Sequence, residues 1–186
     1  MHTRITFAVA AASIAAMSGC AQNNREAAQK IAAARAIATT FPDDFAGTWR
    51  GTLNIHSAPG APRQSVGFTL EIGDTPDEHG LAWRLTYEGQ PTRDYRLQTI
   101  DAEKGAYLID ERNGITMPAH FLSDTLISRF TVSGQTLLTR QQFFPDRIEH
   151  EILAGSSAAA TDGAGVQGLR VTGLQRATLR LVEPTP

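Results

Sequence analysis

The chain has 186 residues, 41% of them hydrophobic and 19% charged, with a formal net charge of −2 at pH 7. That length suits one globular domain and leaves too little for a comfortable second, and the mildly acidic balance argues against nucleic acid, whose phosphates demand basic patches. A single cysteine, Cys20, excludes an internal disulfide.

In chain order, residues 1–4 bring one positive charge at Arg4, residues 5–16 form an apolar run, and small residues follow. The run is too short to cross a bilayer as a mature helix, so 1–19 reads as a signal peptide. Its end, Ala16-Met17-Ser18-Gly19-Cys20, resembles the bacterial lipobox, with Met17 standing where Leu is usual. The resemblance implies that Cys20 carries acyl chains such as palmitate and becomes the new N-terminus. Several chains together hold a protein to a bilayer far better than one. Ala21, rather than Asp, after the cysteine implies the outer membrane of a Gram-negative host, with the protein facing the periplasm. Ordinary cleavage after a small-x-small site, leaving a free thiol, is the alternative.

Residues 21–40 read AQNNREAAQKIAAARAIATT, with Asn23 or Asn24 as N-cap and then a run dominated by alanine. A helix is expected to end near Thr39, because Pro42 disfavours helical geometry at Phe41. With only Ile31 and Ile37 as large apolar side chains it has little to bury, so 20–44 is expected to be a lipidated N-terminus and tether, with the domain proper at 45–186.

From Ala46 the pattern changes to period two. Gly47, Trp49, Gly51, Leu53 and Ile55 alternate with Thr48, Arg50, Thr52, Asn54 and His56, as in a half-buried strand. The alternation recurs at Val66, Phe68, Leu70 and Ile72, and again at Leu81, Trp83, Leu85 and Tyr87. Turn clusters follow each run. Further strands are expected at 94–101, 106–110, 115–122, 125–132, 136–144, 147–153 and 169–181. Asn113-Gly114 and Ser133-Gly134 mark short hairpin connections, and the Gly/Ala/Ser-rich stretch 155–168 is expected to be a mobile loop.

About ten short strands without helical periodicity beyond residue 40 predict an all-β fold, an antiparallel up-and-down barrel of about 8 to 10 strands, because closure removes every exposed edge. Gly47-Thr48-Trp49 at the start of the first strand resembles the Gly-x-Trp signature of lipocalins and related calycin barrels. In those folds the indole closes one end of the barrel under a basic residue of the last strand. The resemblance implies that Trp49 closes this barrel, with Arg176, or else Arg180, lying across it as a cation-π partner. The chain departs from lipocalins in lacking a cysteine pair, a Thr-Asp-Tyr-like motif and a C-terminal helix. The expected strand number lies nearer the ten of fatty-acid-binding-type barrels, whose helix pair after the first strand is also absent. Residues 45–140, through FAGTWRGTL, RDYRL, YLIDERNGI and DTLISRF, resemble an uncharacterised group of bacterial secreted proteins and lipoproteins, which implies no activity.

Catalytic motifs are scarce: there is no Gly-x-Ser-x-Gly elbow, no His-Glu-x-x-His, no Cys-His pair and no phosphate-binding glycine loop. Glu149-His150-Glu151 is the densest titratable cluster, but alternation turns both glutamates away from His150. His150 shares its face with Ile148 and Ile152 and is expected to look into the barrel, as a core histidine with one hydrogen bond or as a ligand or haem contact. His120 and Asp124 are the residues that would have to approach it for a metal site, and no metal or cofactor is assigned. Phe68, Leu70, Trp83, Leu85, Phe130 and Leu138 are expected to face inward, lining or filling the interior. Tyr87, Tyr95, Tyr107, Arg129 and Arg140 are polar-tipped residues of the mouth or the outer face; Arg140, in phase with Leu138, could place a guanidinium inside.

The functional expectation is a lipid-anchored, non-catalytic envelope protein whose barrel binds a small apolar or amphipathic molecule. The alternative is a solid barrel that docks an envelope protein and holds no ligand.

Overall fold

The computed structural model describes residues 41–57, 61, 63–159 and 167–182. The leader, Cys20 and the expected helix within 21–40 lie outside the described residues.

Ten strands follow one another: β1 (Gly47–His56), β2 (Gln64–Ile72), β3 (Leu81–Tyr87), β4 (Arg93–Asp101), β5 (Ala106–Asp110), β6 (Thr116–Leu122), β7 (Thr125–Val132), β8 (Gln135–Phe144), β9 (Arg147–Ala159) and β10 (Gln167–Leu181). Each pairs antiparallel with its chain neighbour, and β10 pairs with β1, so the sheet is a closed up-and-down barrel. The reason is local. Turns such as Ser123-Asp124 (φ 47° and 62°) and Ser133-Gly134 (φ 50° and 77°) place two successive residues in the left-handed region, the backbone twist that returns a strand directly alongside its predecessor.

Inward positions follow the alternation of β1 to β3: Trp49, Leu53, Phe68, Leu70, Ile72, Leu81 and Trp83 are all buried. In β8 the inward set is Leu137, Thr139, Gln141 and Phe143, so Leu138, expected inside, faces outward, and Arg140, one of the residues of the mouth or outer face whose guanidinium could have turned inward, takes the outer face. Leu138 pairs with the exposed Arg129, and the Arg140 guanidinium reaches the Gln142 amide on the outer face.

The stretch 155–168 also departs from expectation. β9 continues to Ala159 and β10 begins at Gln167, because the small residues pair directly, Ser156 with Arg170 and Ser157 with Leu169. A bulge between Val171 and Gly173 readjusts the register below them. The two strands thereby overhang one end of the barrel, carrying the exposed Leu169 and Val171.

The opposite end is closed by aromatic rings. The packed body begins at Phe41, ahead of a single 3-10 turn at Asp43–Phe45. Phe41 stacks on Phe121 with centroids 4.0 Å apart and meets Tyr107 and Phe143 edge-on at 5.3 and 4.9 Å. Its carbonyl accepts a hydrogen bond from the Tyr107 hydroxyl at 3.3 Å. Trp49 is 2% exposed, and its indole N–H donates to the Phe45 carbonyl at 2.9 Å. The segment expected to end a tether instead plugs the barrel, since two phenylalanines four residues apart, Phe41 and Phe45, supply the large apolar area that residues 21–40 lack.

Outside, Arg96 is 6% exposed, covered by the loop between β2 and β3. It bonds Asp94 at 2.7 Å and Asp77 at 3.3 Å, while Asp94 also receives Arg84 and Arg112. Arg96 foremost, and then Arg84, hold the Asp94 carboxyl down at about 2.

The glycine at position 51 is required by the closing strand. A Cβ there would penetrate the Thr178 carbonyl oxygen of β10. The closing strand can approach β1 this tightly only where the side chain is absent. Gly51→Ala is therefore expected to destabilise the protein by roughly 1–3 kcal/mol, the usual cost of overpacking, read as a lower urea midpoint at unchanged m-value. An unchanged midpoint would show that the β1–β10 seam gives way freely.

Candidate functional site: an interior cavity at the open end

Above the aromatic plug the barrel is not filled. A cavity of about 620 Å³ opens between the hairpin connections at the opposite end. Its walls are mainly apolar, supplied by Trp83, Leu85, Ile109, Met117, Phe130 and Ile152. Successive strands deliver them because inward positions on neighbouring strands fall on common levels: Trp83 is opposite Tyr95, and Ile109 is opposite Met117.

His150 lies on the wall at the level of Gln141, its β8 partner. The ring is 3% exposed, and burial holds its pKa down at about 4. It is therefore neutral at neutral pH. The Gln141 amide nitrogen lies 3.3 Å from Nδ1, Phe68 packs on the ring at 4.8 Å, and Nε2 finds no hydrogen-bond partner. An unsatisfied buried polar atom costs about 1–3 kcal/mol, and Nε2 is covered by the surrounding packing rather than open to the cavity.

Toward the mouth the lining turns polar. Arg93 lies over the Tyr87 ring at 4.8 Å. Burial raises the pKa of the Tyr95 phenol, and the adjacent Glu111 carboxylate raises it further. Burial likewise raises Tyr87. Arg93 and Glu111, one charge of each sign, thus flank the opening, with the exposed Ile115 and Val132 beside them.

Of the residues expected to line the interior, Trp83, Leu85, Tyr87, Phe130 and His150 do so. Phe68 and Leu70 are buried in the packed core instead; Phe68 supports the lining from behind through Tyr87 and His150, at 5.0 and 4.8 Å. Leu138 and Arg140 take no part. Gln141, Glu111 and Met117 were not anticipated. Of these only Gln141 had a sequence signal, its position opposite His150 in a hairpin turning at residues 145–146.

The arginine expected over Trp49 is elsewhere. Arg176 faces outward opposite Asn54 and pairs with Glu151 at 2.7 Å, and Arg180 pairs with Asp146 on the same outer face. Their shared parity with Thr178 excludes both from the interior, where Ala177 and Leu179 sit. Among the described residues the guanidinium-ring contacts are Arg93 on Tyr87 and Arg147 on Phe144. Trp49 is closed over by Phe45 and by packing against β10.

Glu149 and Glu151 point outward as expected, bonding Arg147, Thr178 and Arg176. His120 is exposed on β6, and Asp124 lies in the turn at the plugged end, so neither approaches His150. Among the described residues no group of three or more His, Cys, Asp or Glu could hold a metal ion.

No protein-family profile and no curated protein matches the chain. Among solved structures it is similar to the crystal structure of a protein of unknown function from the DUF3598 family of Nostoc punctiforme, with a TM-score of 0.54 and 16% identity over 75% of this chain. This chain spans 48% of the length of that protein. At such identity the likeness concerns the fold alone.

Proposed function

We propose that the protein is a non-catalytic binding barrel of the cell envelope, held to a membrane by acyl chains on Cys20 and carrying one small apolar or amphipathic molecule. The observation that supports the ligand is the cavity. About 620 Å³ lies within the range of small-molecule sites, and its mix of apolar wall with a few convergent polar groups is the composition such sites have. A barrel serving only as a docking module would have every reason to fill this space with side chains.

The anchor rests on the lipobox-like stretch at Cys20. The chain enters the barrel at Phe41 through the plugged end, so the mouth opens away from the entry point. A ligand then exchanges on the side remote from the tether's attachment.

N-phenyl-1-naphthylamine, a neutral dye that brightens in apolar surroundings, tests the cavity. Binding with fluorescence gain is expected, weakened about tenfold or more by Met117→Trp or Leu137→Trp, each filling the space, in variants whose circular dichroism matches the parent. No binding, or binding indifferent to both, would contradict the reading. For the anchor, Cys20→Ser is expected to release the protein from the membrane fraction; unchanged retention would argue against lipidation.

A further inference from the structure

Resting on that reading, we infer that the ligand is an amphiphile with a zwitterionic head, lodged between Arg93 and Glu111 at the mouth while its apolar body lies against Trp83, Leu85, Met117 and Phe130. Both charges are built into the inward phase of their strands. Leu81, Trp83 and Leu85 of β3 stand opposite Leu97, Tyr95 and Arg93 of β4, so Arg93 continues the buried Leu97 and the half-buried Tyr95 toward the opening. Glu111 continues Tyr107 and Ile109 of β5 in the same way, just past the end of that strand. Arg93 is exposed and Glu111 half-buried, and both belong to the cavity lining.

Among the described residues neither charge forms a salt bridge, whereas Arg84, Arg96 and Arg112 on the outer face all pair with Asp94. Arg93 touches the Tyr87 ring at 4.8 Å, and Glu111 accepts from the Asn113 amide at 3.2 Å. The Tyr95 phenol stands between the two, burial and Glu111 raising its pKa and Arg93 lowering it. An anionic head at this mouth gains Arg93 but meets Glu111, and a cationic head meets the reverse. An uncharged head leaves both groups beside a ligand body that displaces their water without replacing it. One cation and one anion joined in a single head answer both charges at once.

The test is competition against N-phenyl-1-naphthylamine at pH 7.5, below micelle formation, by decyl chains that differ only in the head. Decylphosphocholine and decyl sulfobetaine are zwitterions of opposite charge order; decane-1-sulfonate, decyltrimethylammonium and decyl glucoside are the anion, the cation and the uncharged head. The better zwitterion is expected to outcompete each of these three by about fivefold or more, as exposed charge contacts allow. Arg93→Gln, which removes the repulsion of a cation, is expected to bring decyltrimethylammonium level with the zwitterion while the sulfonate falls further behind, and Glu111→Gln is expected to do the reverse. Each preference is a ratio within one protein, so a changed dye affinity does not enter it. A simple ion or the glucoside competing as well as both zwitterions, or variants that move the two ions alike, would overturn the head-group assignment and leave the cavity reading standing. Failure of the dye itself to bind would instead remove the cavity reading.

Discussion

Phe41→Ala is expected to lower the unfolding free energy by about 3 kcal/mol, within the range for removing a buried phenylalanine. The ring is 8% exposed and lies among five aromatic side chains, stacked flat on Phe121 at 4.0 Å. Its loss takes away transfer free energy and leaves a gap that Phe121, Phe143 and Trp83 cannot close, because each is fixed on its own strand. Phe144→Ala is the control. That ring projects outward under Arg147 at 4.0 Å and should cost no more than about 1 kcal/mol. Urea unfolding of the three proteins decides it. Equal midpoints for Phe41→Ala and parent would return residue 41 to the tether and leave the barrel end without its plug.

His150 makes stability fall in a defined acid window. Its folded pKa is about 4, against the ordinary value near 6.5, so the unfolded chain takes up a proton that the native barrel refuses. Stability from this group is complete above about pH 6.5 and is lost as the pH falls toward 4, by roughly 3 kcal/mol in all. His150→Gln cannot take up that proton. Its stability at neutral pH can differ from the parent in either direction, but its slope between pH 6.5 and 4 should be shallower by that amount. The carboxylate of Asp94, held at about 2 by its arginines, acts lower, losing its contribution as the pH falls from the ordinary carboxylate range through 2. The two windows are separable by urea titrations at half-unit steps. Parallel slopes for parent and His150→Gln above pH 4 would mean that the ring is solvated in the native state.

How far the sequence exposes this structure depends on how cleanly each strand alternates. In β1 to β3 the inward residues are large and apolar and the outward ones are Thr, Arg, Glu and Asn, so phase and burial follow directly. Closure follows from the number of strands and the absence of helices. β8 is ambiguous for a physical reason. Leu137-Leu138, Gln141-Gln142 and Phe143-Phe144 are doublets, so the same pattern reads equally well in either phase; only partner strands, which set Leu137 opposite Phe130 and Gln141 opposite His150, select one. β10 presents the same difficulty, with leucine on both parities, and Arg176 was placed on the wrong face by family resemblance rather than by alternation.

The site was legible in part for the same reason. His150 and its isoleucine neighbours declare an inward face, and Trp83, Leu85 and Tyr87 continue one. Glu111 and Ile115 meet at the mouth, where the Glu111 N–H donates to the Ile115 carbonyl across the β5–β6 connection, a closure that composition cannot convey. Whether the interior is filled is a sum over ten strands of side-chain volumes and levels. No local pattern encodes that sum. The plug at Phe41 was missed because a proline-flanked phenylalanine at the end of an alanine-rich run resembles a linker until the ring's partners, separated by up to a hundred residues, are in place.

The central claim is that the barrel holds one small molecule. Native mass spectrometry of the protein extracted from its own membrane, compared with the same sample denatured, addresses it most directly, since denaturation leaves covalent acyl chains attached and releases only what is bound. The expected result is a native species heavier than the denatured one by a single increment of roughly a few hundred daltons, as a ligand of this cavity's size requires, and loss of that increment in Met117→Trp. Identical native and denatured masses in the freshly extracted parent protein would contradict it.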